Sequence, residues 1–174
     1  MHQLAETVEI LERTPGVVRA LLAGLSPPWL TSNYGPRTWS AQEVLGHLII
    51  GERADWIPRI RRTLTDGQSR AFDPFPHDAT IPLSEGRSLA GLLDEFTNLR
   101  AQSLAALHSF NLQPADLHRL GTHPSLGQVT LGQLLATWAV HDLHHIRQMT
   151  LALAWRYRDE VGPWRAYLNT LARS

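Results

Sequence analysis

Four long stretches of this sequence repeat apolar residues at intervals of three and four, and no stretch of useful length alternates as a half-buried strand would. A chain patterned this way buries its apolar stripes by packing helix on helix. The first stretch covers residues 3–13 (Leu4, Val8, Leu11) and 15–25 (Val18, Leu21, Leu22). Thr14-Pro15 lies between them as an N-cap followed by a first-turn proline, which predicts one kinked or restarted helix. Ser40 and Glu43 form a capping box that opens a second helix through Val44, Leu45, Leu48, Ile49, Trp56, Ile57 and Ile60 to about Leu64, with a kink expected at Pro58. Leu89, Leu92, Leu93, Phe96, Leu99, Leu104 and Leu107 lay out a third, ending near Phe110. Thr130 and Gln133 form a second capping box, opening a helix that reaches about Trp155. A short C-terminal helix is expected from Gly162-Pro163-Trp164 to about Arg173.

Between these segments, Ser26–Thr38 carries Pro27, Pro28, Gly35 and Pro36 and has loop composition. Thr65–Arg87 is long and rich in Asp, Gly, Ser and Pro, which makes it a candidate lid, and Asn111–Val129 is a second long connection. The expected fold class is all-α: a four-helix bundle with long connections and a short C-terminal helix, in a single domain spanning 1–174. Sites in such bundles are built in the core by side chains on facing helices.

Composition narrows the function. Sixteen basic residues, all arginine, balance sixteen acidic ones, so no long-range field draws in nucleic acid or anionic lipid. No cysteine is present, so the chain has no thiolate nucleophile or sulfur ligand of its own, and thiol chemistry would need an external thiol. The start, MHQLAETVEI, lacks a signal-peptide pattern, and no apolar run approaches the ~20 residues of a membrane span. A cytoplasmic location is the expectation.

On the fourth helix, Leu134, Trp138, His141, His145, Gln148 and Ala152 step by alternating fours and threes and share one face. Two imidazoles and an amide thus occupy the stripe that leucine and tryptophan carry inward. Histidines at i and i+4 are one turn apart and can reach a common ion. His47, among Val44, Leu48 and Gly51, is the third inward histidine. One imidazole from the second helix and two from the fourth make a three-nitrogen site with positions left for water or substrate. The alternative is a set of buried histidines satisfied by backbone or hydroxyl partners.

His144 is rotated about 100° from His145 and is expected to be exposed or in support. His2, His77, His108 and His118 are expected in solvent, while His123 could cover the site. Glu52, on the stripe of Leu45, Leu48, Ile49 and Trp56, could fix an imidazole or act as base; the alternative is an ion pair with Arg53, Arg59 or an arginine of another helix. Gln148 could orient an incoming group. Asp142 projects from another face and reads as a solvated or interhelical pair rather than a ligand.

The runs Trp39-Ser40, Glu43-Val44-Leu45-Gly46-His47-Leu48 and His141-Asp-Leu-His-His145-Ile-Arg-Gln148 resemble the DinB-like (DinB/YfiT) superfamily of metal-dependent enzymes. His123-Pro124-Ser-Leu-Gly127 and Val161-Gly162-Pro163-Trp164 support the likeness, which covers most of the chain. The resemblance implies a four-helix bundle holding a divalent metal, often nickel or zinc, through His47, His141 and His145. It also implies homodimers and, in characterised relatives, transfer or isomerisation with a low-molecular-weight thiol such as bacillithiol or mycothiol; others carry a hydrolase label. Trp29, Trp56, Trp155 and Trp164, apolar residues beyond one buried stripe, add to the expectation of a homodimer. The leading expectation is therefore a metal-dependent enzyme whose three-histidine site activates a thiol or water, of thiol S-transferase or hydrolase type, acting on a small molecule. The alternative is a non-catalytic metal or small-ligand binding protein of a stress response.

Overall fold

The computed structural model describes residues 4–77 and 83–171. Helix α1 is Leu4–Leu22 and runs through Pro15 without restarting. Thr14 is no cap here; its hydroxyl donates to the Ile10 carbonyl at 3.0 Å. Pro15 has no N–H to give to the carbonyl four residues before it, which leaves the Leu11 carbonyl free inside the bundle. An arginine from another helix takes that bond: Arg100 Nη1 donates to Leu11 O at 2.9 Å.

A short helix, α2 (Pro27–Thr31), forms within the expected loop. Helix α3 is Ala41–Ala54, opened by the Ser40–Glu43 capping box, and every residue from Val44 to Glu52 on it is buried. A helix buried all round is an interior one. The expected kink at Pro58 is instead a break at Asp55, after which α4 covers Trp56–Thr65. The proline ring clashes with the carbonyl of residue i−4, which is Ala54, so the helix yields before the proline rather than at it.

Helix α5 is Leu89–Ser109, and α6 is Leu131–Trp155, opened by the Thr130–Gln133 capping box. The connection between them is not plain loop. A 3-10 turn at Pro114–His118 leads into a hairpin, β1 (Leu120–His123) and β2 (Gly127–Thr130), antiparallel with Leu120 opposite Thr130 and His123 opposite Gly127. Four-residue strands are too short for their alternation to stand out in sequence. The expected C-terminal helix is two 3-10 turns, Gly162–Tyr167 and Asn169–Leu171; its last residues lie outside the described ones.

The four-helix-bundle expectation holds, with the hairpin added. Helix α1 packs on α5 and α6, and α3 also packs on α5 and α6, so α1 sits diagonally from α3 and α5 from α6, while α3 and α5 are neighbours. Diagonal neighbours need longer connections than adjacent ones, which accounts for the long segments 23–40 and 110–130. Wedged between α1 and α3, α6 buries more than one stripe: Leu131, Leu135, Trp138, Asp142, Met149 and Ala152 are deeply covered beside the histidine face.

Apolar packing divides into two clusters, one around Leu22, Leu45, Ile49, Leu92 and Phe96, the other around Leu11, Trp56, Ile60, Leu131 and Trp138. Trp56 is therefore core and unavailable to an interface, unlike the exposed Trp164. Segment 65–77 is anchored to the hairpin: Ala71 bridges to Thr122, and Phe72 N donates to Thr122 O at 2.8 Å. Strand β1 comes close enough to Phe72 that a Cβ on Gly121 would lie 2.6 Å from its ring.

Candidate metal centre

The i,i+4 spacing on α6 and the packing of α3 against it bring His47, His141 and His145 together. Their Nε2 atoms converge: His141 Nε2 is 3.1 Å from His47 Nε2 and 3.1 Å from His145 Nε2. Imidazole nitrogens each about 2 Å from one tetrahedral zinc-like ion stand roughly 3.3 Å apart, so the spacing fits a shared metal. Among the described residues this is the group of His, Cys, Asp or Glu side chains that can hold an ion, and it has no fourth member.

The protonation states fit as well. Burial, with the charge of neighbouring His145, lowers the pKa of His47 to about 3. Burial, then His145 and His47, lower that of His141 to about 2. Burial also lowers His145, against a raising hydrogen bond from Gln148. All three are neutral near pH 7, the form in which imidazole ligates a metal. His145 Nδ1 lies 2.7 Å from Gln148 Oε1. An amide oxygen only accepts, so Nδ1 carries the proton and Nε2 faces the other imidazoles with a bare lone pair. Tyr34 OH accepts from Gln148 Nε2 at 3.4 Å and steadies the amide. Nδ1 of His47 and of His141 is buried without a hydrogen-bond partner among the described residues.

The histidines line a cavity of about 450 Å³ between α3, α4, α6 and the hairpin. Its walls include Trp39, Trp56, Phe72 and Phe75, with Leu126 and Val129 from the hairpin. Trp39 and Phe75 each lie 4.9 Å from the His47 ring, and Trp56 stands edge-on to His141 at 5.0 Å. His123 and His77 are also on the lining. His123 Nδ1 accepts from the amides of Ser125 and Leu126, which holds the ring in the hairpin turn. His77, expected in solvent, is exposed but packs on Phe75 at 4.8 Å. His144 is exposed and touches only the edge of His145, at 5.1 Å.

Glu52 goes elsewhere. Five helical residues from His47 amount to a rotation of about 140°, so the two cannot share a face. Its Oε1 accepts from Arg100 Nε at 3.0 Å, Arg100 Nη2 at 2.7 Å and Trp138 Nε1 at 3.2 Å. The alternative of an arginine from another helix is the arrangement observed. Asp142 makes the interhelical pair foreseen for it, holding Arg100 through both oxygens at 2.6 and 3.1 Å. Burial opposes the charge on Arg100, but Asp142 and Glu52 outweigh it and raise the pKa.

The acidic group that does line the cavity is Asp55, which sequence reasoning missed. It sits at the α3–α4 break, buried, with Oδ1 2.6 Å from Arg59 Nε. Burial raises its pKa to about 6 despite the lowering effect of Arg59. The signal was present in Pro58: its clash at residue 54 predicts a break that turns Asp55 inward.

A four-helix bundle with three convergent imidazoles on the floor of an open cavity defines a class of candidate metalloproteins. The chain belongs to the DinB superfamily, whose family model matches residues 10–149. It is 23% identical over 152 residues to a putative metal-dependent hydrolase of Oceanobacillus iheyensis, covering 83% of each chain. Another protein of that name, from Bacillus mycoides, is 22% identical over 144 residues, with 82% of this chain and 81% of the relative covered. Among solved structures, YfiT from Bacillus subtilis, described as a probable metal-dependent hydrolase with an unusual four-helix bundle topology, superposes with a TM-score of 0.75 at 23% identity, covering 91% of this chain and 88% of that one. The four-helix bundle protein TT2238 gives 0.60 at 21% identity over 85% and 98%. At these identities the structural likenesses speak for the fold.

Proposed function

We propose that the protein is a metal-dependent enzyme in which His47, His141 and His145 hold one divalent ion, nickel or zinc, beside a cavity for a small, largely apolar substrate. The observation that carries this reading is the convergence of three neutral imidazoles at 3.1 Å spacings on the floor of that cavity. Such an ion acidifies a water or thiol ligand and so supplies a nucleophile near neutral pH. The chain supplies the rest. Gln148 holds the tautomer of His145, a positioning role in place of the expected contact with the incoming group. Trp39, Trp56 and Phe75 exclude water and pack the substrate body. Asp55, facing the same space, can take up and return a proton near pH 6. Glu52 lies behind Trp138 and fixes the wall rather than acting as base.

The nucleophile is water or a low-molecular-weight thiol. The absence of cysteine means that neither assay is confused by a protein thiol. Untagged protein should carry close to one transition-metal ion per chain by elemental analysis. Metal-loaded protein should then either cleave an ester or amide probe without thiol or accelerate conjugation of an electrophile by a thiol, and chelation should abolish the activity. A metal-loaded protein inert in both assays across broad panels would favour the non-catalytic binding protein. The exposed Trp164, Tyr167 and Leu168 at the C-terminal end support a homodimer, and a monomer mass by light scattering at tens of micromolar would overturn it.

A further inference from the structure

Among the described residues two arginines are buried, and they differ in what satisfies them. Arg100 spends all five of its N–H donors, on Glu52, Asp142 and the Leu11 carbonyl. Arg59 is 9% exposed and has no aligned hydrogen bond from its guanidinium to any described residue. Its Nε meets Asp55 Oδ1 at 2.6 Å, and no hydrogen bond joins its terminal nitrogens to another described residue. The guanidinium lies 5.5 Å above the centre of the Phe72 ring, which fixes its plane, and it lines the same cavity as the three histidines. Guanidinium donors that face a cavity rather than a protein partner are free to meet the oxygens of a ligand. Among the described residues none accepts from them, and Asp73, near in sequence, pairs with Arg62 instead, at 2.7 Å.

We propose that Arg59 is the anchor for a carboxylate carried by an apolar ligand, which places the body of that ligand against Trp56 and Phe75 and its far end over the histidines. A planar guanidinium matches a carboxylate as a two-pronged pair, with two parallel N–H donors to two oxygens. Phe72 beneath supports the plane, and the strand at Gly121 supports Phe72. Asp55 is a positioning residue: its contact at Nε turns the terminal nitrogens toward the cavity. Trp39, Trp56, Phe72 and Phe75 give the cavity broad aromatic faces, so the fitting ligand is an acid with an aromatic or branched body rather than a small inorganic ion. The substrate class follows: carboxylic acids whose reactive group is at the end away from the carboxylate. This assignment rests on the metal-enzyme reading for its orientation, but not for the binding event itself.

The test uses full-length protein, metal-free after chelation and zinc-loaded, titrated by calorimetry with phenylacetate and with its neutral isostere phenylacetamide. In the metal-free form phenylacetate should bind at least tenfold more tightly than phenylacetamide. Arg59→Gln should bring the two level. Arg59→Lys, which keeps the charge and loses the fork, should recover only part of the difference. Thermal melts of both variants identify any that fail to fold, and the Lys variant keeps the test open if the Gln variant does. Acid and amide binding alike, acid binding unaffected by Arg59→Lys, or no acid binding at millimolar concentration would each overturn the anchor. Zinc content measured on the same samples separates the two readings: a protein that takes up no zinc yet binds phenylacetate through Arg59 loses the metal reading and keeps the anchor. A protein that binds zinc and shows no Arg59-dependent preference does the reverse.

Discussion

Helices α3 and α6 carry two buried polar clusters back to back, and the two are finished differently. Around Arg100, five donors meet the oxygens of Glu52, Asp142 and Leu11, and Trp138 adds a further hydrogen bond; only Glu52 Oε2 lacks a partner among the described residues. Around His141, imidazole nitrogens face one another, two Nδ1 atoms have no partner, and the group opens on a cavity. The first cluster is closed: one guanidinium meets both carboxylates and uses every donor it has, as a buried network must if it is to hold a fold together. The second has no charge or donor of the protein at its centre: its three Nε2 atoms face one another beside the cavity. Trp56 and Trp138, stacked 5.5 Å apart, separate the two: Trp138 belongs to the closed cluster and Trp56 to the open one.

If the clusters differ in this way, breaking the closed one should cost far more in stability. Arg100→Leu leaves two carboxylates and a carbonyl buried without their donor, and it should destabilise the metal-free protein by about 3–5 kcal/mol in urea unfolding. A loss under about 1 kcal/mol would mean that the network is not the clamp it resembles. Zinc should have the next largest effect, and only through the open cluster. Zinc at roughly 100 to 1,000 times its dissociation constant should add about 3–4 kcal/mol to unfolding. His47→Ala, His141→Ala and His145→Ala should each abolish that gain and the bound ion, while His144→Ala keeps both. Equal loss from His144→Ala would place the site on the wrong face of α6.

The open cluster was the more legible of the two in the sequence. His141 and His145 stand one turn apart on a stripe that also carries Leu134 and Trp138, and His47 lies among apolar neighbours, so periodicity alone pointed all three inward. The closed cluster was hidden because a lone arginine in a leucine-rich helix has no signature until its partners are known. Glu52 fits either a base near His47 or the partner of an arginine from another helix, and the structure shows the second. The Leu11 carbonyl could not be anticipated as an acceptor until Pro15 proved to lie inside α1. Asp55 and Arg59 escaped because their inward turn depends on the break before Pro58, and the hairpin because its strands are four residues each.

Acid sharpens the contrast further. In metal-free protein the folded pKa values of His47 and His141, about 3 and about 2, lie below the ordinary 6.5, so the unfolded chain binds more protons between these limits. Stability is then fully present above pH 6.5 and lost as pH falls toward 3, by roughly 3 kcal/mol for each histidine between pH 6.5 and 4. Zinc should flatten the upper part of this slope, and His141→Gln should reduce it without metal. Asp55 has the opposite sign. Its folded pKa of about 6 is above the ordinary 3.8, so its burial costs stability that is absent below pH 4 and fully felt above pH 6. Asp55→Asn should therefore gain on the parent protein as pH rises from 4 to 7, and a difference that does not vary with pH would show that the carboxyl is not held in an environment that raises it.

The smallest effect expected is at Gln148, and it tests whether the open cluster is held in readiness for an ion. Gln148 Oε1 accepts from His145 Nδ1 at 2.7 Å, and Tyr34 holds the amide from the other side at 3.4 Å. Groups that fix the second nitrogen of a ligating imidazole commonly contribute 10- to 100-fold in metal affinity. Gln148→Leu should weaken zinc binding by about tenfold, measured by competition with a chelating dye, and leave stoichiometry at one. Gln148→Glu restores an acceptor and adds negative charge, so its affinity should equal or exceed that of the parent. Tyr34→Phe, one bond further out, should cost about threefold or less, since it only frees the amide to rotate. If Gln148→Leu bound zinc as tightly as the parent, the amide would be a cavity wall and nothing more. If Gln148→Glu were the weaker of the two, His145 would be presenting the other tautomer, with its proton on the nitrogen that faces His141.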